Sequence, residues 1–226
     1  MNQRAFHKLS YGVYIVSASA DGRDGGCVIN TMTQVTSSPA RLSIALNKNN
    51  HTLKLIQNAQ SFSGVVLSED VDMDLIRRFG FQSSADTDKF EGISQGRDSL
   101  LNPYPTDGVS ARFSCKVISM TDVGSHMLII GEVVEAEVLD PDTPVLTYAD
   151  YHLKKNGVTP PNAPSYQEPS SKVTGYRCSV CGYILESDTL PPDFICPVCK
   201  RDASYFVKVF KRYKNITPSE YTRADF

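Results

Sequence analysis

The sequence predicts a mainly β protein, an antiparallel barrel with a few short helices, followed by a small metal-binding domain. Three observations support this prediction: several strand-like segments with little helix between them, no glycine-rich turn of the kind that opens a nucleotide-binding α/β fold, and two close cysteine pairs near the end of the chain. With 226 residues, 41% of them hydrophobic, the chain can build one good core and a small appendage.

The predicted strands are rich in β-branched residues, and several alternate apolar and polar side chains with a period of two. They span residues 13–16, 42–46, 61–67, 109–120 and 126–139. Many strands and few helices together favour an antiparallel barrel. Cys27 and Cys115 fall in strand-like segments away from the cysteine pairs, and we expect both to be buried thiols.

Two short helices are predicted between the strands. The first spans residues 51–58, with the apolar side chains Leu53, Leu55 and Ile56. The second spans residues 72–80, with the apolar side chains Met73, Leu75, Ile76 and Phe79. Because these side chains recur at helical spacing, each helix is expected to pack one face against the sheet.

A proline-rich segment, residues 156–175, separates two predicted domains. It reads NGVTPPNAPSYQEPSSKVTG, contains four prolines and lacks apolar periodicity, so we expect an extended, semi-rigid linker. The predicted organisation is a body over residues 1–155, the linker, a metal-binding domain over residues 176–212 and a C-terminal tail over residues 213–226.

Charge and composition argue against several partners and locations. The net charge of −2 provides no excess of basic residues for binding nucleic acid or an anionic membrane. The N-terminal segment MNQRAFHKLS lacks the apolar stretch of a secretory signal, and no run approaches the ~20 apolar residues of a membrane span. Together with cysteines at metal-binding spacing, these features predict a cytoplasmic protein with reduced thiols.

Four cysteines form two C-x-x-C pairs, Cys178 with Cys181 and Cys196 with Cys199, separated by fourteen residues. Each pair can bind one metal ion through both sulfurs, and two pairs complete a tetrahedral four-sulfur site. Zinc and iron both accept this set of ligands. The spacing alone therefore leaves a structural zinc ribbon open as the alternative to an iron site.

The stretch LNKNNHT, residues 46–52, lies where a predicted strand ends and a predicted helix begins. The free amides and positive dipole of a helix N-terminus, together with the charge of Lys48, would suit a phosphate. Asn50 and Thr52 can cap the helix or donate hydrogen bonds. The alternative is an ordinary helix cap beside a solvated lysine.

Two further polar stretches are candidates for a ligand site. INTMTQVTSSP, residues 29–39, could present amides and hydroxyls to the polar edge of a flat heterocycle, or could be an edge strand with a polar outer face. RFGFQSSADTDKF, residues 78–90, could close around an anion through Ser83, Ser84 and Lys89, or could be a solvated loop.

Taken in order, these stretches make residues 1–155 resemble the flavin reductase-like family of FMN-binding split barrels. The motifs are Asn30-Thr31, Gln34-Val35-Thr36, Leu46-Asn47-Lys48 with Thr52, Ser83, Asp88-Lys89-Phe90, and Gly124-Ser125-His126 leading into Gly131-Glu132-Val133. The resemblance implies a split β-barrel that binds FMN between the two subunits of a homodimer and reduces it with NADH or NADPH. At 83–86 the chain reads Ser-Ser-Ala-Asp where many members carry Ser-Gly-Arg-Asp, so lysines would have to supply the positive charge.

The resemblance also implies a set of site residues. The expected cofactor-binding residues are Asn30, Thr31, Thr33, Gln34, Val35, Thr36, Ala45, Leu46, Asn47, Lys48, His51, Thr52, Ser83, Lys89, Phe90 and Tyr148. His126 is the expected catalytic residue, because a histidine at this point in the family lies near the flavin and the nicotinamide. Its strand position alone would equally suit a packed or surface histidine. Tyr148 and Tyr151 follow the last predicted strand, and they could cover one face of the flavin.

The C-terminal domain resembles a rubredoxin through CSVCGY at 178–183 and LPPDFICPVC at 190–199. Its short spacer is similar to that of the rubredoxin domains at the C-termini of rubrerythrins. The resemblance implies one iron ion on the four cysteines. The aromatic side chains expected to cover it are Tyr183, Phe194 and Phe206. Gly182 suits a left-handed turn that points backbone amides at the sulfurs, whereas Lys200 stands where a second glycine is common.

The two resemblances together predict an electron-transfer protein. A nicotinamide gives up two electrons as hydride, a single iron accepts one, and a flavin can take the pair and release electrons singly. The whole chain is similar to the high-molecular-weight rubredoxins, which implies delivery to a redox protein such as a flavodiiron oxygen or nitric oxide reductase. Two alternatives stay open: a plain NAD(P)H:flavin reductase with a structural zinc ribbon, and a non-enzymatic FMN-binding adaptor.

Overall fold

The structure, a computed structural model, describes residues 3–155 and 175–209. The chain divides into two compact units, one over Tyr11–Gly157 and the other over Met1–Ser10 with Val158–Phe226. The predicted tail and all but the last residue of the predicted linker lie outside the described residues. The domain boundaries proposed above therefore stay a prediction.

The larger unit consists mostly of strands, which confirms the mainly β prediction. The strands are β1 Tyr14–Ala20, β2 Arg23–Ile29, β3 Thr33–Ser37, β4 Ala40–Asn47, β5 Ser61–Leu67, β6 Gln95–Arg97, β7 Pro103–Pro105, β8 Val109–Asp122 and β9 His126–Val138. Seven of them form one antiparallel sheet in the order β2-β1-β5-β8-β9-β4-β3, and β6 pairs with β7 in a separate hairpin. The edges of the large sheet are therefore β2 and β3.

Three helices accompany the sheet: α1 His51–Ala59, α2 Met73–Phe81 and α3 Tyr148–Leu153. The first two lie within one residue of the predicted helices at 51–58 and 72–80, whereas α3 was not predicted. Asn50 and Asp72 cap the first two helices by accepting hydrogen bonds from the backbone N–H two residues further on, at 3.0 and 2.8 Å. Among the described residues, no helix combines the length and the apolar character needed to cross a lipid bilayer.

The sheet folds over its own core. A Cβ added to Gly64 of β5 would lie 2.8 Å from the sulfur of Met32, which precedes β3 at the far edge of the sheet. A Cβ added to Gly131 of β9 would lie 2.6 Å from the ring of Phe62 on β5. Close packing at these two glycines brings distant strands together, and α1 contributes Leu53, Leu55 and Ile56 to the same core.

The smaller unit contains a three-stranded sheet in the order β11-β10-β12, formed by β10 Gly175–Cys178, β11 Ile184–Leu185 and β12 Phe206–Val209. Gly175, the last residue of the predicted linker, is thus the first residue of β10. Two of the aromatic residues expected to cover the metal pack together, because the rings of Phe194 and Phe206 are 5.2 Å apart at their centroids in an edge-to-face arrangement.

Candidate functional site

The four paired cysteines meet in the smaller unit. The sulfurs of Cys178, Cys181, Cys196 and Cys199 lie within 4.8 Å of one another, and all four residues are buried. The sulfurs of Cys178 and Cys199 are 3.5 Å apart, as are those of Cys181 and Cys196. A tetrahedral metal with bonds of about 2.3 Å to sulfur needs sulfurs about 3.8 Å apart. The donor set therefore fits one metal ion.

Two equivalent turns position the cysteine pairs. The backbone N–H of Gly182 donates to the carbonyl of Cys178, and that of Lys200 donates to the carbonyl of Cys196, each at 3.0 Å. Both turn residues lie in the left-handed region, with φ of +81° at Gly182 and +60° at Lys200. The lysine therefore adopts a backbone conformation for which glycine is better suited.

The close contact between Cys181 and Cys199 moves the pKa values of their two thiols in opposite directions. A hydrogen bond with Cys199, and then burial, raises the pKa of Cys181, whereas the same hydrogen bond lowers the pKa of Cys199. The backbone N–H groups of Tyr183 and Arg201 donate to these two sulfurs and favour their thiolate forms. Because a bound cation neutralises the crowded negative charges, metal binding should release protons from this site.

Lys200→Gly should stabilise the metal-binding unit, since glycine adopts a φ of +60° without the steric cost of a Cβ. The expected gain is about 1 kcal/mol, seen as a higher midpoint for thermal loss of the bound metal. Lys208→Gly is the matched control because Lys208 lies in strand β12, where glycine should lower the midpoint. Equal effects at both positions would contradict the strain assigned to Lys200.

Several predicted flavin-site residues converge where β4 ends. The Thr31 hydroxyl donates to the carbonyl of Ala45 at 3.0 Å and accepts from its N–H at 3.2 Å. Asn47, the last residue of β4, is paired in register with His126, the first residue of β9. The sheet thereby brings Thr31, the end of β4 and the predicted catalytic histidine to one region of the larger unit.

Lys48 follows directly and lies against the turn between β8 and β9. Its Nζ forms an ion pair with the carboxylate of Asp122, and its backbone N–H donates to the carbonyl of Ser125 at 3.1 Å. A hydrogen bond from Lys48, followed by one from the N–H of Gly124, lowers the pKa of Asp122. Sequence reasoning missed Asp122, because its partner lies 74 residues away and the chain between them gives no local indication of the contact.

The first turn of α1 carries unsatisfied polar atoms. His51 Nε2 and the Thr52 hydroxyl are buried and have no hydrogen-bond partner among the described residues. Thr52 approaches the thiol of Cys27 without forming a regular hydrogen bond. Buried polar atoms in native proteins are normally satisfied by protein, water or a ligand, so this turn has the capacity to bind a polar group. These residues fit a flavin phosphate in chemical character.

Lys89 is buried, with only 2% of its surface exposed. Its Nζ donates to the carbonyls of Gly26 on β2, at 2.7 Å, and Phe79 on α2, at 3.0 Å. Burial lowers the pKa of Lys89 to about 8. The hydroxyl of Ser84 bonds both the N–H and the carbonyl of Gly26, so this loop covers the free edge of β2. Lys89 thus joins two backbone segments, and its contact with a cofactor stays a prediction.

Cys27 lies near both the first turn of α1 and the loop that carries Lys89. The ammonium of Lys89, Thr52 and Asn50 all act on its buried thiol, although burial is the largest effect and raises its pKa. Both unpaired cysteines of the body, Cys27 and Cys115, are buried free thiols, as predicted. The loop that carries Lys89 and the start of α1 therefore both lie close to Cys27.

The remaining predicted residues occupy separate surroundings. Asn30 and Leu46 are buried, as is Phe90, whose ring packs edge-to-face on Phe79 at 5.1 Å. The hydroxyl of Ser83 accepts from the N–H of Ala85 at 3.1 Å. Four predicted residues lie on the edge strand β3. Thr33, Gln34 and Val35 are exposed, and Thr36 is half-buried. The ring of Tyr148 packs against those of Tyr11, Tyr151 and His152.

Comparisons with known proteins agree with both halves of the chain. Residues 6–157 match the family described as flavin reductase like domain, and residues 176–207 match the rubrerythrin, rubredoxin-like domain. The chain is 42% identical over 168 residues to the ferric-chelate reductase (NAD(P)H) of Archaeoglobus fulgidus, which covers 74% of this chain and 99% of that protein.

A second relative extends over both domains. The chain is 34% identical over 230 residues to the high molecular weight rubredoxin of Moorella thermoacetica, covering 92% of this chain and 100% of that protein. Among solved structures, the NADH:FAD oxidoreductase of Streptomyces globisporus superposes with a TM-score of 0.59 at 21% identity, covering 64% of this chain and 85% of that one. At that identity the superposition shows the fold alone.

Proposed function

Because the chain belongs to the flavin reductase-like family and carries a rubredoxin-like domain behind it, we propose that it passes electrons from NADH or NADPH, by way of bound FMN and a tetrathiolate iron, to a redox protein. The observation that carries this proposal is the fusion of the two domains in one chain. The relative from Moorella, similar over its whole length, supports the same arrangement. The families themselves imply an NAD(P)H-dependent oxidoreductase that uses a flavin and iron.

Bound flavin supplies the conversion between a two-electron donor and a one-electron acceptor. In our proposal, Lys48 and the first turn of α1 hold the flavin phosphate, and the polar residues around Thr31 and along β3 bind the ring. His126 would lie beside the nicotinamide. Support for the phosphate site comes from the charge of Lys48 and the unsatisfied atoms of His51 and Thr52. The four buried cysteines hold the iron.

The proposed acceptor is a soluble redox protein, such as a flavodiiron oxygen or nitric oxide reductase. The proposal includes a cytoplasmic location, because the four thiolate ligands must stay reduced to bind the metal. No nucleic acid or membrane has a part in it.

Anaerobic mixing of the purified protein with NADH tests the proposed function. The flavin absorbance should fall first, and the red absorbance of a ferric tetrathiolate should fall afterwards. Zinc would leave only the yellow of the flavin, and metal analysis on protein made in iron-replete cells decides between the two metals. A red band that NADH never reduces, or stoichiometric zinc, would overturn the proposal.

Direct reduction of ferric chelates is a second candidate function. It is favoured by the relative from Archaeoglobus, named a ferric-chelate reductase (NAD(P)H), because that protein aligns over 99% of its length. In this case the flavin-binding unit would reduce the chelate without the rubredoxin-like domain. A variant without the four-sulfur site that still reduces ferric chelates would support this function. A variant that loses chelate reduction to the same extent as electron transfer to a redox protein would oppose it.

We expect the protein to be a homodimer that binds FMN between its two subunits. The expectation comes from the flavin reductase-like family, to which residues 6–157 belong. Sedimentation velocity should give about twice the chain mass of 24.9 kDa. A monomer of 24.9 kDa that still retains FMN would contradict this arrangement.

Lys48→Ala should weaken FMN binding, since it removes the cation proposed for the phosphate. A charged hydrogen bond contributes roughly 1.5–3 kcal/mol, which corresponds to about a ten- to hundredfold loss of affinity. Fluorescence titration of flavin-free protein measures the change. Lys54→Ala removes the same charge from an exposed position of α1 and is the matched control. FMN affinity that is equal in the two variants would place the phosphate elsewhere.

A further inference from the structure

The lysine proposed for the flavin phosphate already has an anionic partner. The carboxylate of Asp122, the last residue of β8, forms an ion pair with Nζ of Lys48, which follows the end of β4, although β9 lies between these two strands in the sheet. Lys48 is also fixed to the same turn through its backbone, because its N–H donates to the carbonyl of Ser125 at 3.1 Å. The turn between β8 and β9 is thus held against the end of β4 at two points.

A backbone hydrogen bond within the turn fixes the carboxylate of Asp122. Its other oxygen accepts a hydrogen bond from the N–H of Gly124 at 2.8 Å, and Gly124 has a φ of +105°, a conformation that favours glycine. The turn therefore directs one carboxylate oxygen at Lys48. Both side chains remain partly open to solvent, with 39% of Lys48 and 60% of Asp122 exposed, so another anion can reach the lysine.

We propose that Asp122 is an internal competitor of the flavin phosphate, occupying Lys48 when the site is empty and giving it up when FMN binds. This inference rests on the proposed function, because it requires Lys48 to bind the phosphate. A carboxylate and a phosphate are both anionic oxygen acceptors for an ammonium group, and one cation gains less from the second anion while the first is still paired. Asp122 therefore lowers the affinity of the chain for FMN.

Asp122→Asn, with FMN and riboflavin titrated into flavin-free full-length protein, tests the inference. Riboflavin has the same ring system and lacks the phosphate. FMN should bind about two- to fivefold more tightly to the variant, the range given by exposed ion pairs, and riboflavin affinity should stay unchanged. The gain should shrink in high salt, because salt screens exposed charges.

Two comparisons complete the test. Glu137→Gln removes the same charge from the opposite end of the β8–β9 hairpin, where Glu137 pairs with Arg112, and it should leave FMN affinity unchanged. In a Lys48→Ala background, Asp122→Asn should no longer raise FMN affinity, because the competition requires the lysine.

Weaker FMN binding by Asp122→Asn would overturn the inference and make Asp122 a residue that orients Lys48. An equal change for FMN and riboflavin, or no change for either, would also overturn it. The proposed electron transfer is tested by a different measurement, because it fails if NADH does not reduce the iron. Failure of the competitor role of Asp122 and failure of the proposed electron transfer can therefore be distinguished.

Discussion

Replacing Cys196 by serine is expected to slow electron delivery through the metal site severely while leaving reduction of the bound flavin by NADH nearly intact. Cys196 is fully buried, and its sulfur lies 3.5 Å from that of Cys181 inside the four-sulfur cluster. A serine oxygen is a harder ligand than a cysteine sulfur, and its hydroxyl ionises far less readily than a thiol, so the visible band of a four-sulfur ferric site should disappear or move. Transfer to a one-electron protein acceptor should fall about 100-fold or more, since even changes to the neighbours of metal ligands cost 10–100-fold.

Stopped-flow mixing with NADH separates the two steps. The parent protein should show flavin bleaching followed by loss of the red band, and the variant should show only the first phase. Cys115→Ser is the matched control, because Cys115 is a buried free thiol outside the metal cluster. The control should lose stability and keep both phases. If Cys196→Ser delivers electrons to the protein acceptor as fast as the parent, the metal site is a structural brace.

The metal site could be predicted almost completely from the sequence because its chemistry is local. Each C-x-x-C pair closes a tight turn on one ion, and the only long-range requirement is that two such turns meet. The structure satisfies it with two equivalent turns, in which Gly182 and Lys200 have the same hydrogen bond and the same sign of φ. The sequence showed that Lys200 replaces a common glycine. Only the structure shows the positive φ that makes a lysine unfavourable at this position.

The sequence indicated strand character around Cys27 but no bounds for strand β2, because its sequence, RDGGCVI, lacks the β-branched pattern at its centre. The two glycines have a packing reason. A Cβ on Gly25 would lie 2.5 Å from a methyl group of Leu55 on α1, and a Cβ on Gly26 would lie 2.9 Å from the ring of Phe79 on α2. Both helices therefore approach the backbone of β2 closely, and a one-dimensional pattern contains no information about that approach.

The candidate flavin site could be predicted only as a set of segments. The resemblance pointed to residues at the end of β4 and the start of β9, and the sheet pairs Asn47 with His126, while their contact with a flavin stays a prediction. Sequence patterns could not show that Lys48 is paired with Asp122 or that Lys89 is buried, since a lysine in a polar stretch normally indicates a solvated loop. Charge partners far apart in the chain become visible only after folding.

Lys89→Met is expected to destabilise the larger unit, and by an amount that grows as the pH rises. At pH 7 the variant loses the donor to the carbonyls of Gly26 and Phe79, a loss of about 1–3 kcal/mol. Burial lowers the pKa of Lys89 from 10.5 to about 8, so above pH 8 the folded chain binds fewer protons than the unfolded chain. The free energy of unfolding of the parent should therefore rise by roughly 1.5 kcal/mol from pH 8 to pH 9.5 through this group.

Urea unfolding followed by circular dichroism at pH 7, 8 and 9.5 measures this dependence in both proteins. The titration of other groups is common to both, so the difference between parent and variant isolates the contribution of Lys89. Lys54→Met, at an exposed position of α1, should follow the parent at every pH. The difference in the free energy of unfolding between parent and Lys89→Met could instead stay constant from pH 8 to 9.5. Burial would then not lower the pKa of this lysine, and the two carbonyls would stabilise its ammonium as fully as water does.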